Sequence, residues 1–232
     1  MGTIARASLR LELSLKRASQ LSGHAQNSGR VLKDFIIFAR KCEAIRLQKT
    51  ATSLSEVWEL RPNIFRDARG FFVESYNQAR FAAAGITDVF VQDNHSSSVK
   101  GTLRGLHYQL HRAQAKLCRV VEGEALDVAV DIRAGSPTFG KWAGVVLSAS
   151  AQNQIYVPRG FAHGFLALTE RVQFLYKCSD FYDAADEHSI LWSDPQIGIA
   201  WNVAAPLVSE KDRRAPALAQ LPRELLPAYP TT

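Results

Sequence analysis

The stretch 116-KLCRVVEGEALDVAVDIR-133 decides the fold. In 126-LDVAVDI-132 apolar residues alternate with small or acidic ones, and a period of two sends Leu126, Val128, Val130 and Ile132 to one face of a strand. A single glycine, Gly123, divides the stretch, so it reads as two strands joined in a hairpin. Working outward, the same short segments recur between Gly, Pro, Asp and Ser: 102-TLRGLHYQ-109, 141-KWAGVVLS-148, 154-QIYVPR-159, 161-FAHGFLALT-169 and 172-VQFLYKCSDFY-182, with 56-EVWEL-60, 71-FFVESY-76 and 88-DVFVQDNHS-96 before them. One short helix is expected in 77-NQARFAAAG-85, where Asn77 can cap the start and Gly85 can stop it. Many short strands with close turns, and no GxGxxG or repeated helical crossover, point to an all-β sandwich or barrel of the jelly-roll kind with short peripheral helices. The tail 206-PLVSEKDRRAPALAQLPRELLPAY-229 carries four prolines and is expected to wrap the body instead of forming one helix.

Charge divides the 232-residue chain in two. Residues 1–50 hold ten Lys or Arg and three acidic residues, a net of +7, whereas residues 51–232 hold 18 and 19, a net of −1. The basic excess therefore sits in an extension, and the body lacks the positive field that phosphate-backbone binding needs, so no nucleic-acid partner is expected. The extension, with the polar break 21-LSGHAQNSG-29 between two possible amphipathic helices, leaves three readings: a loosely ordered stretch or early start, a targeting peptide, or a docked helical element. Residues 51–232 form the expected domain. No run of 18 apolar residues exists, so no membrane span is expected. Cys42, Cys118 and Cys178 are sparse, odd in number and without a CxxC, which fits reduced thiols in the cytoplasm better than a disulfide framework.

Chemistry is signalled by ionisable residues inside apolar strands: Arg104 and His107, Lys116, His163 and Tyr176. If Leu103 and Leu106 both pack, a strict period of two fails across 103–107, and a bulge near Gly105 is required. His107 has three readings: a satisfied interior histidine, a metal ligand, or a base. The metal reading draws on His95, His107, His111 and His163, but there is no HxH pair, and positions 107 and 111 lie roughly 13 Å apart along a strand. The base reading needs a carboxylate partner and a second proton donor. Asp93, Asp127, Asp131 and Asp212 all qualify as partners, and spacing does not select among them. Tyr176 is the candidate donor, and Cys118 reads as a small buried hydrophobe.

The blocks 62-PNIFRDARGFFVESYN-77, 91-VQDNHSSSVKGTLRGLHYQ-109, 114-QAKLCRVVEGEALDVAVDIRAGSPTFGKW-142, 157-VPRGFAHGF-165, 174-FLYKCSDFY-182 and 209-SEKD-212 together resemble the dTDP-4-dehydrorhamnose 3,5-epimerase family. The resemblance implies a cupin-type jelly roll and a cofactor-independent isomerase of a dTDP-4-keto-6-deoxyhexose, with no metal. It casts His107 as general base, Asp212 as its partner, Tyr176 as general acid and Lys116 as the cation facing the developing enolate. It places Arg69, Glu74, Gln92, Asn94, Arg104, His163, Glu187 and Lys211 around the sugar nucleotide and Tyr182 against its thymine. It also implies a homodimer in which Arg69 and Glu74 serve the partner's pocket. The alternatives are an epimerase acting at C3 only or C5 only, and a sugar-binding cupin without catalysis.

Overall fold

The computed structural model describes residues 47–229. The two possible helices of the extension lie outside them. The described chain forms β1 (Gln48–Ala51), β2 (Trp58–Arg61), β3 (Ile64–Asp67), β4 (Gly70–Val73), α1 (Gln78–Ala83), β5 (Gln92–Val99), β6 (Thr102–Gln109), β7 (Lys116–Glu122) and β8 (Glu124–Asp131). It continues through β9 (Trp142–Ser148), β10 (Gln154–Val157), β11 (Phe161–Ala167), β12 (Arg171–Cys178), β13 (Glu187–Ser189), β14 (Leu207–Val208) and α2 (Glu210–Arg213), then two 3-10 turns at Leu218–Gln220 and Arg223–Leu225. Strand β1 begins at Gln48, so the last residues counted with the extension belong to a sheet.

Two six-stranded sheets face each other. The first runs β1-β2-β10-β7-β12-β5, and the second runs β13-β6-β11-β8-β9, with β14 added to β6. Every pairing between strands is antiparallel except β14 with β6, and β3–β4 is a separate hairpin. Here the hairpin expected around Gly123 is corrected. Strand β7 lies between β10 and β12, and β8 lies between β11 and β9, so Gly123 is the corner where the chain leaves one sheet for the other. Its φ of +78° suits that corner, and a Cβ there would sit 2.1 Å from the Arg171 carbonyl oxygen.

Alternation along β8 holds, and its consequence is less obvious. Val128, Val130 and Ile132 are fully buried and Leu126 packs beside them, against Ile190, Ile197, Trp201 and Leu218 of the C-terminal segment. The apolar face of β8 therefore looks outward, under the tail. Its small residues Ala125 and Ala129 look inward, toward Val120, Phe165, Phe174 and the rest of the intersheet core. The tail bonds to the body at two points: Tyr108 Oη donates to the Leu225 carbonyl at 2.8 Å, and Ala134 N–H donates to the Pro227 carbonyl at 2.7 Å. Helix α1 is capped by Asn77, whose side chain accepts from Arg80 N–H, and Gly85 follows its end at φ +92°. Strands β4 and β12 stop earlier than their apolar patterns, and β5 starts later, at Gln92.

Candidate active site

The site begins with a bulge in β6. His163 pairs with His107 and Phe165 with Arg104, so two steps on β11 face three on β6, and Gly105 is the extra residue. The bulge puts Leu103, Leu106 and Tyr108 on the outer face, in the cluster beneath the tail. Arg104 and His107, three apart in sequence, then share the inner face. The backbones touch there: a Cβ on Gly105 would lie 2.6 Å from Gly164 Cα, and one on Gly164 would lie 2.7 Å from the Arg104 carbonyl. With φ at +129°, Gly105 is also where only glycine fits without strain.

The tail supplies the next part. Strand β14 runs parallel to β6, with Leu207 opposite Thr102 and Val208 opposite Leu103. The chain then turns at Ser209, whose hydroxyl accepts from Asp212 N–H, and the single turn α2 drops Asp212 beside His107. Asp212 Oδ1 lies 2.6 Å from His107 Nε2, and Oδ2 accepts from Gly105 N–H at 3.3 Å. Burial pushes this carboxyl up, but the bonds to His107, Gly105 and Ser209 outweigh it and hold Asp212 below the ordinary carboxylate range. A carboxylate that accepts from Nε2–H leaves the imidazole lone pair on Nδ1. In that tautomer the imidazole can accept a proton on Nδ1.

These groups face a cavity of about 610 Å3 between the sheets, open at one end and closed toward the core by Phe165 and Phe174, stacked at 4.0 Å. Lys116 enters from β7 and donates to Gln114 Oε1 at 3.1 Å, while Gln114 is held by the Asp180 carbonyl. Burial holds the Lys116 ammonium below the ordinary lysine range, against the opposing pull of Cys178, Cys118, Glu187 and Asp127. Tyr176 enters from β12, and burial pushes its phenol up to about 12, so it stays protonated and able to donate. At the mouth Glu187 pairs with Lys211 and accepts from Tyr182 Oη. Tyr182 is tethered by its N–H to Gln92 Oε1 at 2.8 Å, and Gln92 in turn donates to Asn94. The ring of Tyr182 is more than half exposed, a flat face presented to the opening.

Eleven of the thirteen expected site residues line this one cavity: His107, Tyr176, Asp212, Lys116, Gln92, Asn94, Arg104, His163, Tyr182, Glu187 and Lys211. Arg69 and Glu74 do not. Arg69 is exposed and paired with Asp67, and Glu74 is paired with Arg80. The four carboxylates that spacing left equivalent go to four different basic side chains: Asp212 to His107, Asp127 to His163, Asp131 to Arg133 and Asp93 to Lys177. Three supporting residues were not anticipated. Gln114 steadies Lys116, Ser209 caps α2, and Gln109 holds the loop of Tyr182 by bonds to the Phe181 carbonyl and Asp183 N–H. The QAK context of Lys116 was the available signal for Gln114.

A jelly-roll sandwich holding an oriented histidine, a protonated phenol and a desolvated ammonium around one cavity defines an acid–base enzyme of the cupin type. Residues 51–220 match the profile of the family described as dTDP-4-dehydrorhamnose 3,5-epimerase, and the chain belongs to that family. A relative from Pseudomonas aeruginosa named dTDP-4-dehydrorhamnose 3,5-epimerase is 51% identical over 175 residues, 75% of this chain and 97% of its own. A Legionella pneumophila dTDP-6-deoxy-D-glucose-3,5-epimerase, solved with dTDP-4-keto-L-rhamnose, superposes with a TM-score of 0.78 at 47% identity, covering 80% of this chain and 100% of its own. A 3′-monoepimerase from Streptomyces bikiniensis, solved with dTDP-quinovose, gives 0.73 at 39% identity, covering 77% and 92%.

Proposed function

We propose that the cavity epimerises dTDP-4-dehydro-6-deoxy-α-D-glucose at C3 and C5 to dTDP-4-dehydro-β-L-rhamnose, with His107 as base, Tyr176 as acid and Lys116 at the enolate oxygen. The observation that carries the reading is the 2.6 Å His107–Asp212 pair opening on the same cavity as Tyr176 and Lys116. A C4 carbonyl acidifies the protons on both neighbouring carbons, because either carbanion delocalises onto the same oxygen. Neutral His107 removes such a proton, and Asp212 stabilises the imidazolium that results. The Lys116 ammonium meets negative charge that exists only during the reaction, so its attraction lowers the barrier instead of merely tightening binding. Tyr176 returns a proton to the opposite face, and its phenolate is then recharged from solvent.

In this reading Tyr182 stacks on thymine, and Gln92, Asn94, Arg104, His163, Glu187 and Lys211 hold the sugar nucleotide. Arg69 and Glu74 complete the cavity of a second copy in a homodimer. Support for the dimer comes from β1, an edge strand among the described residues, and from Phe71 and Phe72, both more than half exposed on β4. Mixing R69A with H107N subunits should then restore activity that neither variant has alone. Residues 1–46, which precede β1, are proposed to be dispensable for turnover, and deleting them tests this. The protein is proposed to act in the cytoplasm; no helix among the described residues is long and apolar enough to cross a membrane.

Turnover of dTDP-4-dehydro-6-deoxyglucose in deuterated water tests the central claim. Deuterium at C3 and C5 with both centres inverted is expected. Label at C3 alone would instead give the restricted reaction that the similarity to a 3′-monoepimerase keeps as the second reading. Label at neither carbon would remove the epimerase assignment.

A further inference from the structure

We propose that the inner wall of the cavity is also an inhibitory binding site for a thiophilic divalent metal ion of the zinc class, held by Cys118, Asp127 and His163. The three residues come from β7, β8 and β11, and one donor atom from each lies within 4.8 Å of the other two. Cys118 Sγ is 3.6 Å from His163 Nε2, and that nitrogen is 2.8 Å from Asp127 Oδ1. Zinc bonds of about 2.3 Å to sulfur and 2.0–2.1 Å to nitrogen put tetrahedral neighbours roughly 3.5 Å apart, so the thiol and imidazole already stand at ligand spacing. The carboxylate need only withdraw by a few tenths of an ångström, or turn its other oxygen.

That other oxygen is the second observation. Asp127 is fully buried, and its Oδ2 has no hydrogen-bond partner among the described residues. A buried carboxylate oxygen without a donor is an unmet demand that a cation satisfies directly. The mixed S, N and O donors suit zinc, cadmium or cobalt and disfavour magnesium or calcium. Three protein ligands leave a fourth tetrahedral position for water.

The site belongs to the cavity and is reached through it. His163 lines the cavity, while Cys118 and Asp127 lie behind it, closed to solvent. Binding removes the Cys118 thiol proton to solvent, and the His163 proton that Nε2 donates to Asp127 moves to Nδ1 so that Nε2 can take the metal. A thiol must lose its proton to bind a metal, so affinity rises with pH and each ion bound releases a proton. A dication beside Lys116 would alter the field that Lys116 offers the enolate and would pull His163 out of its bond to Asp127. Occupancy and turnover are therefore mutually exclusive. This differs from a cofactor, whose loss would stop the reaction.

The full-length chain titrated with cobalt(II) tests the site without relying on turnover. A thiolate-to-cobalt charge-transfer band, one proton released per ion, and protection by prebound thymidine diphosphate are expected. Zinc should inhibit turnover and chelator should restore it. Cys118→Val, which fits the apolar neighbours of position 118, should lose the band and need at least about tenfold more zinc for half inhibition. Cys178→Ala and Cys42→Ser should keep both responses. If Cys118→Val fails to show a cooperative melt, Cys118→Ser replaces it with a weaker ligand of the same shape, and the same loss is expected. Absence of the band in the parent chain, its persistence without the Cys118 thiol, or unchanged zinc sensitivity of that variant would each overturn the proposal.

Discussion

His107 and His163 face each other across β6 and β11, each beside a carboxylate, and the two pairs differ in where that carboxylate comes from. Asp127 reaches His163 through sheet register: His163 is opposite Ala129, and Asp127 is two residues along on the same face. Asp212 reaches His107 from 105 residues away, carried by β14 and the single turn after it. Access differs as well. The His163 side chain is 9% exposed and its partner not at all, whereas the His107 side chain is 30% exposed, toward the cavity. The same chemical pair is thus nearly closed off in one place and open to the cavity in the other, and exposure of the imidazole separates the two.

Substitutions can break this comparison, beginning with the largest effect. His107→Asn should lower turnover by about a thousandfold or more and abolish deuterium exchange at both carbons, whereas His163→Asn should retain measurable exchange. Equal losses would erase the distinction. Lys116→Met should cost about 100-fold in kcat and yet raise the melting temperature at neutral pH. Burial depresses this lysine, so the folded state is penalised while it is charged. The stability gain should fade as pH rises through the ordinary lysine range, where both states lose the charge.

Asp212→Asn should lower kcat by about 100-fold with little change in KM, since the partner acts on the imidazolium formed during reaction. Asp127→Asn should lower it by about tenfold or less, an effect set by packing around His163. Because Asp212 titrates below the ordinary carboxylate range, its contribution to stability is present above that range and lost as pH falls through its lowered value. Urea midpoints across the acid range should therefore converge for parent and Asp212→Asn at low pH. The smallest effect expected is on the tail: Tyr108→Phe removes the bond to the Leu225 carbonyl and should cost about 1 kcal/mol of stability.

Much of this was legible before any fold was known. Segment 102–109 is a strand over that same span, and the demand for a bulge at Gly105 followed from Leu103 and Leu106 needing one face. Asn77 and Gly85 bounded α1 as their backbone preferences dictate. Strands β13 and β14 were missed because three and two residues carry no readable period; they are strands only because β6 offers them an edge. Gly123 was read as a hairpin because a glycine between two apolar runs marks a reversal without stating which sheet each run joins. The resemblance placed Arg69 and Glu74 at a partner's pocket, and in the single chain they pair with Asp67 and Arg80 and do not line the cavity.

The sequence by itself determined most of the longer strands, the place where β6 must break its alternation, and the residue types available for proton transfer, because these follow from local periodicity and side-chain chemistry. Only the tertiary structure decided that Asp127 serves His163, and that the apolar face of β8 lies under the tail while its small residues face the intersheet core. Those choices depend on strand register and on contacts between residues far apart in the chain, which spacing along the chain does not encode.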